Sequence, residues 1–426
     1  MGSLIFRRAR LRAAPTLIAL TCVVALLCPI GASAQVLTLQ DALRRAADVD
    51  PALPAADARI EAATAGVRQA DTRPNPTLGF ELENFVGTGP FGFFNESQTT
   101  LSYSQRYERG NKREARTSLA RAGVRTAEIE KQVYAVEFFE RVETAFVEAV
   151  AAEAAVSLSA ERLEAAERLQ AETERRVQAA REPAFAGARV TALVAEARIG
   201  LVHAEASART ATLNLAAYWS ESADIPLDMA WFENAPANPG IALNEETVDL
   251  ALISAERDVA GARITFEQAQ AVQDPTFSGG LRHFALGGDV AVVAGVALPL
   301  PLYNDNSGNI SRAMAERSAA NQEYAALRRN LQREVTTLQA RVAAHAEEAE
   351  ALRTSAIPQT EEALGMIREG FDRGAFEYID IIDAERAVND ARTQRLEILR
   401  EYHLDIARLN RLAGRHLSAV NLGEAR

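Results

Sequence analysis

The 426-residue chain has two cysteines, five histidines and a formal net charge of −12. Both cysteines lie within the first 30 residues, so the rest of the chain can form neither a disulfide framework nor a thiolate metal site, and the acidic balance makes nucleic acid a poor partner.

Arg7, Arg8, Arg10 and Arg12 precede an apolar stretch from Thr16 to Ile30, and Ala32-Ser33-Ala34 forms a cleavage signature. This is the plan of a secretory signal peptide over 1–34. Cleavage after Ala34 removes Cys22, Cys28 and four arginines, which moves the net charge from −12 to −16. Leu27 stands where a lipoprotein signal needs a small residue, which argues against lipidation at Cys28 without excluding it. No later apolar run reaches the roughly 18 residues of a transmembrane helix.

Thr38 has the character of a helix N-cap, with Asp41 three residues on. The helix it starts is interrupted near Asp50-Pro51 and Pro54. After Arg73-Pro74-Asn75-Pro76 the period changes to two: Leu78, Phe80 and Leu82 alternate with Gly79, Glu81 and Glu83. Leu101, Tyr103 and Tyr107 form a second such row, giving a hairpin over 76–107 with a long loop carrying Phe91, Phe93 and Phe94. Asn111 to Arg181 then runs without a proline, and a partner helix returns to Trp219. At 1.5 Å per residue the first of these is on the order of 100 Å long.

The same plan recurs about 200 residues later, which marks an internal duplication. Gln273-Asp274-Pro275-Thr276 opens a hairpin over 275–303. Phe277 and Leu281 lie on one strand, a Gly287-Gly288 turn follows, and Val290, Val292, Val296 and Leu298 lie on the other. A long helical hairpin over 309–413 follows. Its Leu327, Leu331, Val335, Leu338 and Val342 have the four-and-three spacing of a coiled coil, and Pro358 is expected to kink it. The organisation is therefore a first repeat at 35–220, a linker at 221–244, a second repeat at 245–414 and a tail at 415–426.

Four strands cannot close a membrane barrel, and an open edge is not tolerated in lipid. Either the hairpins lie on a soluble surface or several chains pool their strands. The exported chain, the alternating hairpins and the long helices favour pooling.

The segment Phe371-Asp372-Arg373-Gly374-Ala375-Phe376-Glu377-Tyr378-Ile379-Asp380-Ile381-Ile382-Asp383-Ala384 resembles the second tip motif of the TolC-like outer-membrane efflux channels. Likeness to that family covers the whole mature chain, duplication included. Arg73-Pro74-Asn75-Pro76 with Glu81-Leu82-Glu83-Asn84, and the stretch from Thr99 to Arg113, are similar to its CzcC-like heavy-metal subgroup. The resemblance implies an α+β membrane protein, with long helical hairpins forming a periplasmic α-barrel. Four β-strands per chain would be pooled into a trimeric transmembrane β-barrel. It implies passive conduction with no cofactor, as a homotrimer in outer-membrane lipid, served by a periplasmic adaptor and an inner-membrane RND-type pump.

Asp380 and Asp383 are three residues apart and share a helix face. They either complement the dipole of the helix that starts there or, as the family implies, ring the channel aperture in three copies and favour cations. The resemblance also assigns tip and adaptor contact to Arg181, Glu182, Phe185, Phe371, Gly374 and Phe376. Two departures stand out: the first tip, Ala180-Arg181-Glu182-Pro183, lacks a glycine, and Phe371 replaces a common tyrosine, so a hydroxyl clasp is missing.

His203, His283, His345, His403 and His416 have no ligand spacing and read as unrelated helix-face or surface residues. Glu81 and Glu83 read as a polar lumen wall. No nucleophile and base stand together, so the chain is not expected to be an enzyme. The expected function is export of heavy-metal cations through a tripartite system. The alternatives are a drug-efflux or type I secretion channel of the same fold, and a soluble periplasmic coiled-coil scaffold.

Overall fold

The computed structural model describes residues 36–219, 226–241 and 247–417. The expected signal peptide at 1–34, with Cys22 and Cys28, lies outside them, as do parts of the linker and the tail.

Helix α1 (Leu39–Val49) starts at Thr38, whose hydroxyl accepts the Asp41 amide at 3.2 Å and donates to the Asp41 carboxylate at 2.7 Å. Pro51 disfavours helical backbone at Asp50, so the chain breaks there and restarts as α2 (Ala52–Ala70). Strands β1 (Thr77–Glu83) and β2 (Gln98–Arg106) lead into α3 (Lys112–Gln178), 67 residues without interruption, and α4 (Ala184–Ala216). A four-residue helix, α5 (Met229–Phe232), precedes the second copy. That copy comprises α6 (Val248–Gln270), β3 (Thr276–Phe284), β4 (Val290–Ala297), α7 (Ser307–Ala351), α8 (Ile357–Asp372) and α9 (Tyr378–Ala413).

Both hairpins join one antiparallel sheet in the order β1-β2-β3-β4, with β2 of the first repeat paired to β3 of the second. Gly280 makes that junction possible: a Cβ there would stand 2.4 Å from the Leu101 carbonyl oxygen. At the base of the sheet Asp274 accepts the Arg109 amide at 2.9 Å and pairs with Lys112 at 2.8 Å. Both side chains of that pair are about nine-tenths buried. The Asp-Pro turn of one repeat thus holds the Gly110-Asn111-Lys112 turn of the other.

Helix α3 is the axis of the helical part, with α2, α4, α6 and α9 packed along it. One core gathers Phe138, Phe139, Val142 and Phe146 of α3 with Leu43, Leu215, Trp219, Phe232 and Leu399. A second sets Leu331, Leu338 and Val342 of α7 against Tyr402, Ile406, Leu409 and Leu412 of α9, so the four-and-three spacing is a buried seam. Arg411 of α9 is held by two bonds to Asp249 of α6 in its own repeat at 2.6 and 2.8 Å, and reaches across to Glu137 and Glu140 of α3 in the other, each at 3.4 Å.

At Pro358 the helix changes its hydrogen-bonding pattern. The five residues Leu352–Ala356 form a π-helical turn immediately before it, between α7 and α8. Proline lacks an N–H and crowds the carbonyl four residues back, here that of Thr354. Widening the turn removes that crowding and lets the helix run on.

Replacing Lys112 by Met should leave the Asp274 carboxylate buried with one amide donor. The expected loss is about 3 kcal/mol of unfolding free energy, read from denaturant titration of the detergent-purified protein.

Candidate functional site

The two faces of the sheet are chemically opposite. On one face Phe80, Leu101, Leu281 and Val292 stand in register across all four strands. Their exposures of 70, 49, 55 and 80 % make this a continuous apolar surface with nothing covering it. Leu78, Tyr103, Phe277 and Val296 extend it toward the helices. The other face carries Gly79, Ser102, Gly280, Ser104, Ser278 and Gly295, with Glu81, Glu83 and Arg282 toward the loops. Within the chain, β1 and β4 each keep one unpaired edge.

At the far end of the helices lie two turns of the same construction. In the first, the Arg181 and Ala180 amides donate to the carbonyls of Arg176 and Val177; in the second, the Ala375 and Gly374 amides donate to those of Gly370 and Phe371. Each is a Schellman motif whose key residue is left-handed, Ala180 at φ +53° and Gly374 at φ +77°. The glycine missing from the first tip is therefore replaced by an alanine held in the same conformation, at a cost of about 1 kcal/mol. Gly370 is required for another reason, since the Phe376 ring would lie 2.1 Å from its Cβ.

Phe371 does not present a surface for contact: it is 1 % exposed, inside a cluster with Leu169, Ala186, Val190, Leu364, Tyr378 and Ile382. The Arg176 guanidinium lies 3.6 Å from the centre of its ring and pairs with Asp372 at 3.3 Å. Arg176 is held in turn by Glu172 of its own helix at 3.1 Å. A cation on the first hairpin thus grips an aromatic and an acid on the second, where a tyrosine hydroxyl is absent. Sequence reading missed Arg176 because nothing local marks it; its partners lie about 200 positions on. Of the other tip residues, Arg181, Phe185, Gly374 and Phe376 are exposed and Glu182 is half-buried.

The two aspartates part company. Asp380 belongs to a capping box, its Oδ2 accepting the Glu377 amide at 2.8 Å while the Glu377 side chain caps the Asp380 amide. The dipole and capping role is thus realised at Asp380, with its second oxygen left over. Asp383 is exposed, with Arg386 one turn on at 3.8 Å.

The histidines are not a uniform surface set. His403 is 3 % exposed and lies among Trp231, Phe232 and Tyr402, its Nε2–H donating to the Phe232 carbonyl at 2.8 Å. Burial holds its pKa below the usual histidine value. Among the described residues no three His, Cys, Asp or Glu side chains converge on a metal-sized site.

No described helix is long and apolar enough to cross a membrane. The family model for outer membrane efflux proteins matches residues 42–221 and 245–415, one segment per repeat. The chain belongs to that family. It is a passive channel of the outer membrane extending into the periplasm, not an enzyme. Channels of this family work as trimers with an adaptor and an inner-membrane pump. The chain is 27 % identical over 390 residues to the cobalt-zinc-cadmium resistance protein CzcC of Cupriavidus metallidurans, covering 89 % of this chain and 90 % of that one. It is also 27 % identical to the nickel and cobalt resistance protein CnrC of the same organism, over 65 % and 67 % of the two chains. Among solved structures, the outer membrane protein VceC of Vibrio cholerae superposes with a TM-score of 0.72 at 20 % identity, covering 88 % and 96 %. A Pseudomonas aeruginosa membrane protein superposes at 0.73 with 18 % identity, covering 88 % and 90 %.

Two outcomes test this geometry. Arg176→Ala should loosen the tip: proteolytic nicking near residues 180 and 374 should rise severalfold while melting of the whole protein shifts little. Burial makes His403 harder to protonate in the folded than in the unfolded chain, so the stability it contributes is complete above about pH 6.5 and is lost as pH falls from there through the lower folded value. The urea midpoint should therefore drop between pH 7.5 and 5.5, and less so in His403→Phe.

Proposed function

We propose that three copies of this chain form one twelve-stranded barrel in the outer membrane and a helical tunnel below it. The tunnel exports heavy-metal cations that an inner-membrane RND-type pump and its adaptor deliver. The observation that carries the assembly is the single sheet with an uncovered apolar face and two open edges. Pairing β4 of one copy with β1 of the next closes every edge and turns the apolar face to lipid.

Helix α4 supports the same assembly. Its buried seam, Ala186, Val190, Val194, Ala197, Ala204 and Ala208, packs within the chain. A second seam, Ala188, Ala192, Ala195, Ile199, Val202 and Ala206, has the same four-and-three spacing and is exposed. A helix with two such seams has a partner on each side, as closure into a ring of helices requires. The metal cargo follows the resistance proteins that the chain resembles. Arg181, Phe185 and Phe376 offer the adaptor an exposed cationic and aromatic tip, shaped by Glu182 and Gly374, while Phe371 acts from inside. Asp383 and the free oxygen of Asp380 supply the carboxylates of the aperture.

The test is conductance of the purified protein in a planar bilayer beside Asp380→Asn/Asp383→Asn. Discrete channels with a cation preference, weakened in the double variant, are expected. A protein that stays soluble without detergent and never inserts is a periplasmic scaffold instead.

A further inference from the structure

The wall of the barrel lumen separates two glutamates that alternation alone treats alike. Glu83 forms an ion pair with Arg282 at 3.0 Å. That guanidinium also donates to Thr100 at 2.9 Å and Gln98 at 3.1 Å. The group is a neutral cross-strand brace over β1, β2 and β3. Glu81 lies one register step nearer the helices on the same face, in the row Glu81-Thr100-Arg282-Ala291, where Arg282 stands two strands away and turns its guanidinium to Glu83 and Gln98. The Glu81 side chain is exposed and has no hydrogen bond or ion pair with any described residue. Below it the next two rows of the wall, Gly79-Ser102-Gly280-Val293 and Thr77-Ser104-Ser278-Gly295, carry no charge.

We infer that Glu81 is a specificity-determining residue of the outer-membrane barrel. In the trimer it makes a ring of three unpaired carboxylates that favours cations within the β-barrel, separately from the helical tip. This rests on the trimeric barrel proposed above. Arg282, the cation in the row of Glu81, is engaged by Glu83, so that pair contributes no net charge, and the two rows beneath add none. Three carboxylates within roughly one Debye length of the pore axis, about 8 Å at physiological salt, act together on a passing ion.

The experiment is the reversal potential in a salt gradient, measured in the Asp380→Asn/Asp383→Asn background so that the tip contributes no carboxylates. Adding Glu81→Gln should lower the remaining cation-over-anion permeability ratio about threefold. Adding Glu83→Gln/Arg282→Gln, which removes a neutral pair, should leave it unchanged. The inference is overturned if Glu81→Gln has no effect, or if the neutral-pair variant shifts the ratio as much. Failure of the parent protein to conduct at all would instead remove the barrel itself, a distinct result.

Discussion

Unpaired backbone N–H and C=O groups along β1 and β4 would each cost several kcal/mol in hydrocarbon, and this requirement governs the rest of the structure. One chain supplies four strands and cannot meet it. The helices then have to serve two purposes, packing within a chain and offering faces to neighbours. That is why α4 carries an apolar seam on each side, and why so much apolar surface on the sheet is left uncovered. Assembly and membrane insertion are therefore coupled energetically, since the strand edges call for the other copies and the apolar face for lipid.

Within the chain, the duplication is held together by a few contacts between groups far apart in sequence. Asp274 with Lys112 joins the repeats beneath the sheet, Arg411 with Glu137 and Glu140 joins them midway, and Arg176 with Phe371 and Asp372 joins them at the tip. Each places a cation in a largely buried setting, where its partner decides whether it stabilises or destabilises. The apolar cores supply the bulk of the free energy; these pairs set the register between repeats.

Much of this was legible in the sequence because it is written in local patterns. Leu78, Phe80 and Leu82 announce a strand by alternation, Leu331, Leu338 and Val342 announce a seam by spacing, and Thr38 announces a cap. What was not legible depends on partners that no local pattern names. Alternation places Glu81 and Glu83 on one face but cannot say that only one meets an arginine. Spacing puts Asp380 and Asp383 together but cannot say that one closes a capping box. Composition leaves His403 as one histidine among five, although it lies in an aromatic cage built partly from the linker.

The π turn has a consequence for the phase of the second hairpin. Leu352 and Phe371 are both buried, and 19 residues separate them. At about 100° per residue an uninterrupted α-helix would carry them to faces about 100° apart. The turn over Leu352–Ala356 takes up one surplus residue, which brings the two back onto a common face. The angular setting of the tip, and hence which side of α8 meets Arg176, is thus dialled in about five helical turns away, at the proline.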